Sequence, residues 1–212
     1  LRYPFFTTKD ARFENVLRRM NSFYLSSAQR YSKYAKKSLV RKTRSNSQRV
    51  SSALMNYNIS YCDENYICVV VDITGFDKDM PFGARFAHTW SVQSSMILPA
   101  SHFIKTDRKS ISQIRTIILE HVRKNRKNVS FGYYGDCEKR LIRAFDIRNF
   151  CILPKGFAFF IDPGILCDTS YGPSVFLLPK EILSTIMKVK IKKTDERASM
   201  PVYKTSGAAA AD

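Results

Sequence analysis

Two blocks of β-type sequence, set apart by helical sequence, constrain the fold of this chain more than any other feature. The first block, 57–98, opens with YNISYC and YICVVVDIT, joined by Asp63, Glu64 and Asn65. Both runs are rich in β-branched and aromatic residues, and DEN has tight-turn character, so they predict a β-hairpin. GFDKDMPFG predicts a loop. RFAHTWSVQSSMIL predicts a long strand that PASHF ends, with Phe86, His88 and Trp90 on one face, because strand side chains alternate. The second block, 150–178, holds NFCIL, GFAFFID and SVFLLP. Strands grouped in this way, with short turns between them, pair antiparallel.

Helical periodicity accounts for most of the rest. Phe13, Val16, Leu17, Met20, Tyr24, Ala28, Tyr31 and Ala35 recur at spacings of three and four, which predicts an amphipathic helix over 10–38. Arg12, Arg19, Arg30, Lys33 and Lys37 fall on its opposite flank. KKSLVRKTRSNSQRVSS reads as a basic, Ser-rich loop or helix end. DRKSISQIRTIILEHVRKNRKN predicts a second helix with Ile111, Ile114, Ile118 and Val122 as its buried stripe. GDCEKRLIRAFDI predicts a third helix with Asp136 as N-cap, and KEILSTIMK a last one. The two long helices need a shared surface for their apolar stripes. The expected fold is therefore α+β: 57–98 and 150–178 in one antiparallel sheet, with the helices packed on one face. A single domain over 3–188 and a polar, flexible tail over 189–212 complete the expectation.

Charge narrows the partners. The net charge of +17 attracts anions: nucleic acid, acidic lipid, acidic wall polymer or an acidic protein surface. Two clusters carry the candidate anion site. One comprises Lys36, Lys37, Arg41, Lys42 and Arg44; the other comprises Arg123, Lys124, Arg126 and Lys127. The second ends a helix, where cations also favour the dipole. The five cysteines, at 62, 68, 137, 151 and 167, form no C-x-x-C pair and mostly lie in apolar runs, which predicts buried free thiols. No apolar stretch reaches the roughly 20 residues of a membrane span, and no signal peptide is visible.

The usual catalytic motifs are missing. There is no G-x-S-x-G, no H-E-x-x-H and no phosphate loop. His88 reads as a satisfied strand histidine. Asp72, Asp77 and Asp79 lack the ligand spacing of a calcium loop, and Asp162 before Pro163 reads as turn chemistry. The expectation is a non-enzymatic protein with no cofactor and no metal.

The block from 156 to 183 carries a resemblance. Gly156, Phe157, Phe159, Phe160, Pro163, Gly172, Pro179 and Leu183 match the closing pattern of a bacterial domain-of-unknown-function family. That family forms the extracytoplasmic part of RsiV-type anti-sigma factors and the non-catalytic module of PdaC-type peptidoglycan deacetylases. Tyr3, Pro4, Met20 and Asn21 resemble its opening, and GARFAHTWSVQ and LPASHF resemble its middle. The family loop usually carries aromatic and small residues where this chain has CDTSY. The resemblance implies a binding or sensing module at the bacterial envelope, with an extracytoplasmic location. Lysozyme, which RsiV-type proteins recognise, is basic and repelled at +17, so it is not carried over. The alternative is a cytosolic protein associated with nucleic acid. Within the block, Gly156, Pro163, Gly172 and Pro179 are read as structural. Pro163 fixes the entry to a loop joining two antiparallel strands, and Gly172 permits its strained exit.

Overall fold

The computed structural model describes residues 3–42, 52–77, 80–192 and 202–203, with side chains except at 31–42, 52–53, 75–82 and 202–203. Strand β1 (Phe6–Thr7) leads into the long helix α1 (Ala11–Lys42). Strands β2 (Ser52–Cys62), β3 (Tyr66–Asp77), β4 (Met80–Ser91) and β5 (Ile97–Leu98) follow. Helices α2 (Ala100–Phe103), α3 (Arg108–Asn125) and α4 (Cys137–Ala144) come next. Strands β6 (Phe150–Leu153), β7 (Gly156–Ile161) and β8 (Ser174–Pro179) form a second group. A further strand, β9 (Val202–Tyr203), lies within the stretch expected to be a flexible tail and pairs with β1.

The α+β class and the antiparallel pairing are as the sequence predicts. The single shared sheet is corrected. The strands divide into a four-stranded sheet, β2-β3-β4-β5, and a three-stranded sheet, β6-β7-β8, and each carries its own helix. Val16, Leu17, Met20 and Tyr24 of α1 are buried with Met55, Ile59, Ile67, Val69, Val71 and Trp90 of the larger sheet. Each such side chain contributes about 1.5–3 kcal/mol on burial. Ile114, Ile118 and Val122 of α3 share a core with Phe157, Phe159, Phe176 and Leu178 of the smaller sheet.

Alternation sends Cys68 of β3 away from α1 and into this second core, where the Ile152 amide donates to its Sγ at 3.5 Å. Cys68, Cys151 and Ala158 are small, and β6 comes within 8 Å, Cα to Cα, of β2, β3 and β4. The reason for two sheets is visible in β7, which is buried along its whole length. It needs cover on both faces, from α3 on one and from the larger sheet on the other.

Three local expectations are also corrected. GFDKDMPFG is strand for most of its length, because the β3–β4 ladder runs on through Gly75–Phe82 and Phe76–Pro81 to Asp77–Met80. KEILSTIMK forms turns rather than a helix. Pro179 O accepts from the Ile182 and Leu183 amides, after which Ile186 and Lys188 bond to Lys105 and Phe103. A nine-residue helix is marginal by itself, so these tertiary bonds prevail. Asp136 makes no capping bond and instead pairs with Arg140 at 2.7 Å. All five cysteines are free; four are buried and Cys62 is half-buried.

Candidate functional site

The two basic clusters occupy different settings. On α3, the Arg123 Nε donates to Glu138 of α4 at 2.8 Å. Arg126 lies 3.6 Å from the same carboxylate and donates to the Gly135 carbonyl at 2.5 Å. These two arginines bind α4 to α3. Lys124 and Lys127 are exposed, with no ion pair among the described residues. Lys36, Lys37, Arg41 and Lys42 lie in the last turns of α1, with their side chains outside the described residues, as is Arg44 altogether.

Beyond its first turns, where Asp10 pairs with Arg12 and Glu14 with Arg18, α1 has no local acid to neutralise it. From residue 15 to residue 62 the chain holds ten Lys and Arg and no Asp or Glu. A groove of about 540 Å³ runs beside this helix. Its helical wall is Arg19, Ser22, Phe23, Ser26 and Arg30, spaced so that all lie on one face of α1. Trp90, Ser95, Met96 and Ile97 of the β4–β5 corner form the other wall. That corner is stiff: Ser91 N donates to Met96 O, Ser95 N to Ser91 O, and Ser95 holds a left-handed φ of 54°. The Phe23 ring meets Tyr24, His88 and Trp90 edge-on at 5.2, 5.1 and 5.4 Å. Sequence reasoning missed this groove, because it joins residues about seventy positions apart.

Beneath the groove, the Tyr24 hydroxyl lies 3.3 Å from His88 Nδ1. Burial pushes the His88 pKa down to about 4 and raises that of the Tyr24 phenol, against a lowering influence from the Trp90 indole. The indole N–H itself is buried and completes no hydrogen bond among the described residues. His88 is thus a packed strand histidine, as expected. Asp72 is taken up by Arg85, bidentate at 2.6 and 2.8 Å. Asp162 accepts from the Arg85 amide at 3.3 Å. Asp79 lies outside the described residues, as does the side chain of Asp77.

The motif residues lie at strand ends, turns and backbone contacts. Asn21 clamps the β1 backbone, accepting from Phe6 N at 2.8 Å and donating to Phe6 O at 2.9 Å. A Cβ on Gly156 would collide with the Leu178 carbonyl and lie 2.9 Å from Lys180 N. Pro163 sits on Gly83 of β4, and Pro179 ends β8. Gly172, at φ 72° and ψ −163°, follows a 3-10 turn over Thr169–Tyr171 and leads the chain into β8. Only glycine adopts that conformation readily. The loop between Pro163 and Gly172 does join two antiparallel strands.

Solved structures that share this architecture include two DUF3298 family proteins. A DUF3298 family protein from Bacteroides fragilis NCTC 9343 superposes with a TM-score of 0.58 at 11% identity, over 86% of this chain and 81% of that one. A DUF3298 family protein from Pseudomonas aeruginosa PAO1 gives 0.52 at 10% identity, over 74% and 71%. The likeness is one of fold. No family model matches the chain, and no curated protein does.

Proposed function

We propose that this protein is a non-enzymatic binding module for an anionic partner at the bacterial envelope. The observation that carries the reading is the course of the chain after Glu14, with ten cations and no carboxylate across residues 15–62. Such a surface draws anions by long-range attraction. The shifted carboxylates are held by local hydrogen bonds and ion pairs, as at Asp10, Asp136 and Asp146, rather than gathered in a cleft. The resemblance to the RsiV-type and PdaC-type extracytoplasmic module supports the envelope, and the shared DUF3298 architecture is in keeping with it. Among the described residues, no helix is long and apolar enough to cross a membrane.

The test is titration into labelled teichoic acid, acidic vesicles and duplex DNA at low and high salt. The expected result is salt-sensitive binding, with a slope near −0.9 per neutralised phosphate for the duplex. Replacing Lys36, Lys37, Arg41 and Lys42 together by Ser should weaken it while the thermal melt hardly moves. No binding to any of the three at low salt would overturn the reading. Preference for the duplex over both envelope polymers would favour the nucleic-acid alternative.

A further inference from the structure

We infer that the groove between α1 and the β4–β5 corner is a site for an extended acidic peptide segment, two carboxylates flanking an apolar centre. The inference rests on the anionic-partner reading and assigns it a place and a ligand chemistry. Both walls come from sequence without carboxylates: residues 15–62 on one side and 80–106 on the other. Arg19 and Arg30 are exposed and make no ion pair among the described residues. Arg19 Nη1 rests 3.7 Å from the Met96 sulfur, a weak acceptor that a carboxylate readily displaces.

The spacing selects the ligand. Arg19 and Arg30 stand eleven positions apart on one helix face, a rise of about 16 Å. An extended peptide covers that span in about five residues. Between the arginines, Phe23, Met96 and Ile97 offer apolar surface over the buried Trp90, while Ser22 and Ser26 offer hydroxyls to a peptide backbone. β5 is the last strand in the order of its sheet, so an extended segment here runs by a strand end. Single-stranded nucleic acid fits less well, because base stacking needs an open ring face. Phe23 is engaged edge-on by three rings, and Trp90 is only 4% exposed. A flat bilayer does not reach the floor of a groove.

Trp90 is the only tryptophan in the chain and lines the groove, so its emission reports occupancy directly. The probe is an eight-residue peptide with two glutamates five positions apart and leucine and valine between them. Its control carries glutamines in place of the glutamates. The glutamate peptide should change Trp90 emission saturably, and the glutamine control should bind at least tenfold more weakly. Arg19→Glu with Arg30→Glu should weaken the peptide at least tenfold with the melt unchanged, since both side chains are exposed. Met96→Glu should weaken it from the opposite wall. Equal affinity for wild type and the double reversal, or no change in emission, would overturn the assignment. So would an oligodeoxynucleotide that displaces the peptide and shifts Trp90 emission by itself. Teichoic acid or DNA binding that depends on Lys36, Lys37, Arg41 and Lys42 but leaves Trp90 silent would sink the groove and leave the anionic-partner reading standing.

Discussion

On the α3 side of the molecule, Glu138 takes up Arg123 and Arg126; on the α1 side, no acid from residue 15 to residue 62 can do the same. The sequence shows two basic clusters of five and four cations, and folding separates their settings. One closes a helix pair. The other belongs to a helix whose Val16, Leu17, Met20 and Tyr24 are buried against a sheet, and the sequence there supplies no carboxylate from residue 15 to residue 62. Cation count is therefore a poor guide to a binding surface; the placement of carboxylates decides which cations remain available.

The largest expected effect tests how rigidly the α3 side is built. Gly156→Ala should cost about 3 kcal/mol or more, because the new methyl meets backbone atoms of β8 that cannot yield as a side chain would. Urea denaturation measures this, and a midpoint close to wild type would show that β7 and β8 can separate locally.

The next effect belongs to the α1 side. His88 has an ordinary pKa of 6.5 and one of about 4 when folded. Below pH 6.5 the unfolded chain takes up the proton first, so stability is full above pH 6.5 and falls as the pH drops toward 4. The loss amounts to about 2 kcal/mol by pH 5 and about 3 kcal/mol in full. Melts at pH 7 and pH 5 should differ more for wild type than for His88→Phe, which keeps a ring among Phe23, Tyr24 and Phe86. Identical pH dependence would remove His88 as a source of acid sensitivity.

Gly172→Ala should cost about 1 kcal/mol or more through backbone strain alone, since open space surrounds the position. An unchanged melt would mean that the loop relaxes to another exit.

The smallest effect sharpens the contrast between the clusters most directly. Glu138→Gln removes the partly exposed pairs to Arg123 and Arg126, together worth about 1 kcal/mol, so the melt should drop by a few degrees. Releasing Arg123 and Arg126 should strengthen duplex DNA binding and steepen its salt dependence. Weaker or unaltered binding would show that the α3 end takes no part in anion contacts even when free.

Much of the secondary structure was legible because it rests on periodicity. The stripe Val16, Leu17, Met20 and Tyr24, the hairpin around Asp63–Asn65 and the three strands of 150–178 all follow from local alternation or helical spacing. Gly172 was legible because a turn exit with positive φ admits few residues besides glycine. Misreadings arose where a local pattern met a distant partner. KEILSTIMK has helical composition, but its backbone bonds to Lys105 and Phe103. Asp136 stands at a helix start, but Arg140 holds its carboxylate. Asp107 does cap, accepting from Ser110 N at 3.0 Å and from the Ser110 hydroxyl at 2.7 Å; Asp-x-x-Ser was the available signal.

By itself, the sequence determined the α+β class, the antiparallel pairing, the faces of α1 and α3, and the excess of positive charge, because each follows from residue spacing or from a sum over composition. Tertiary structure alone decided that β2–β5 and β6–β8 form separate sheets, that Glu138 engages two arginines of one cluster, and that Arg19 and Arg30 face Trp90 and Met96 across a groove. Those outcomes depend on which distant side chains arrive at the same point, and neither periodicity nor net charge contains that information.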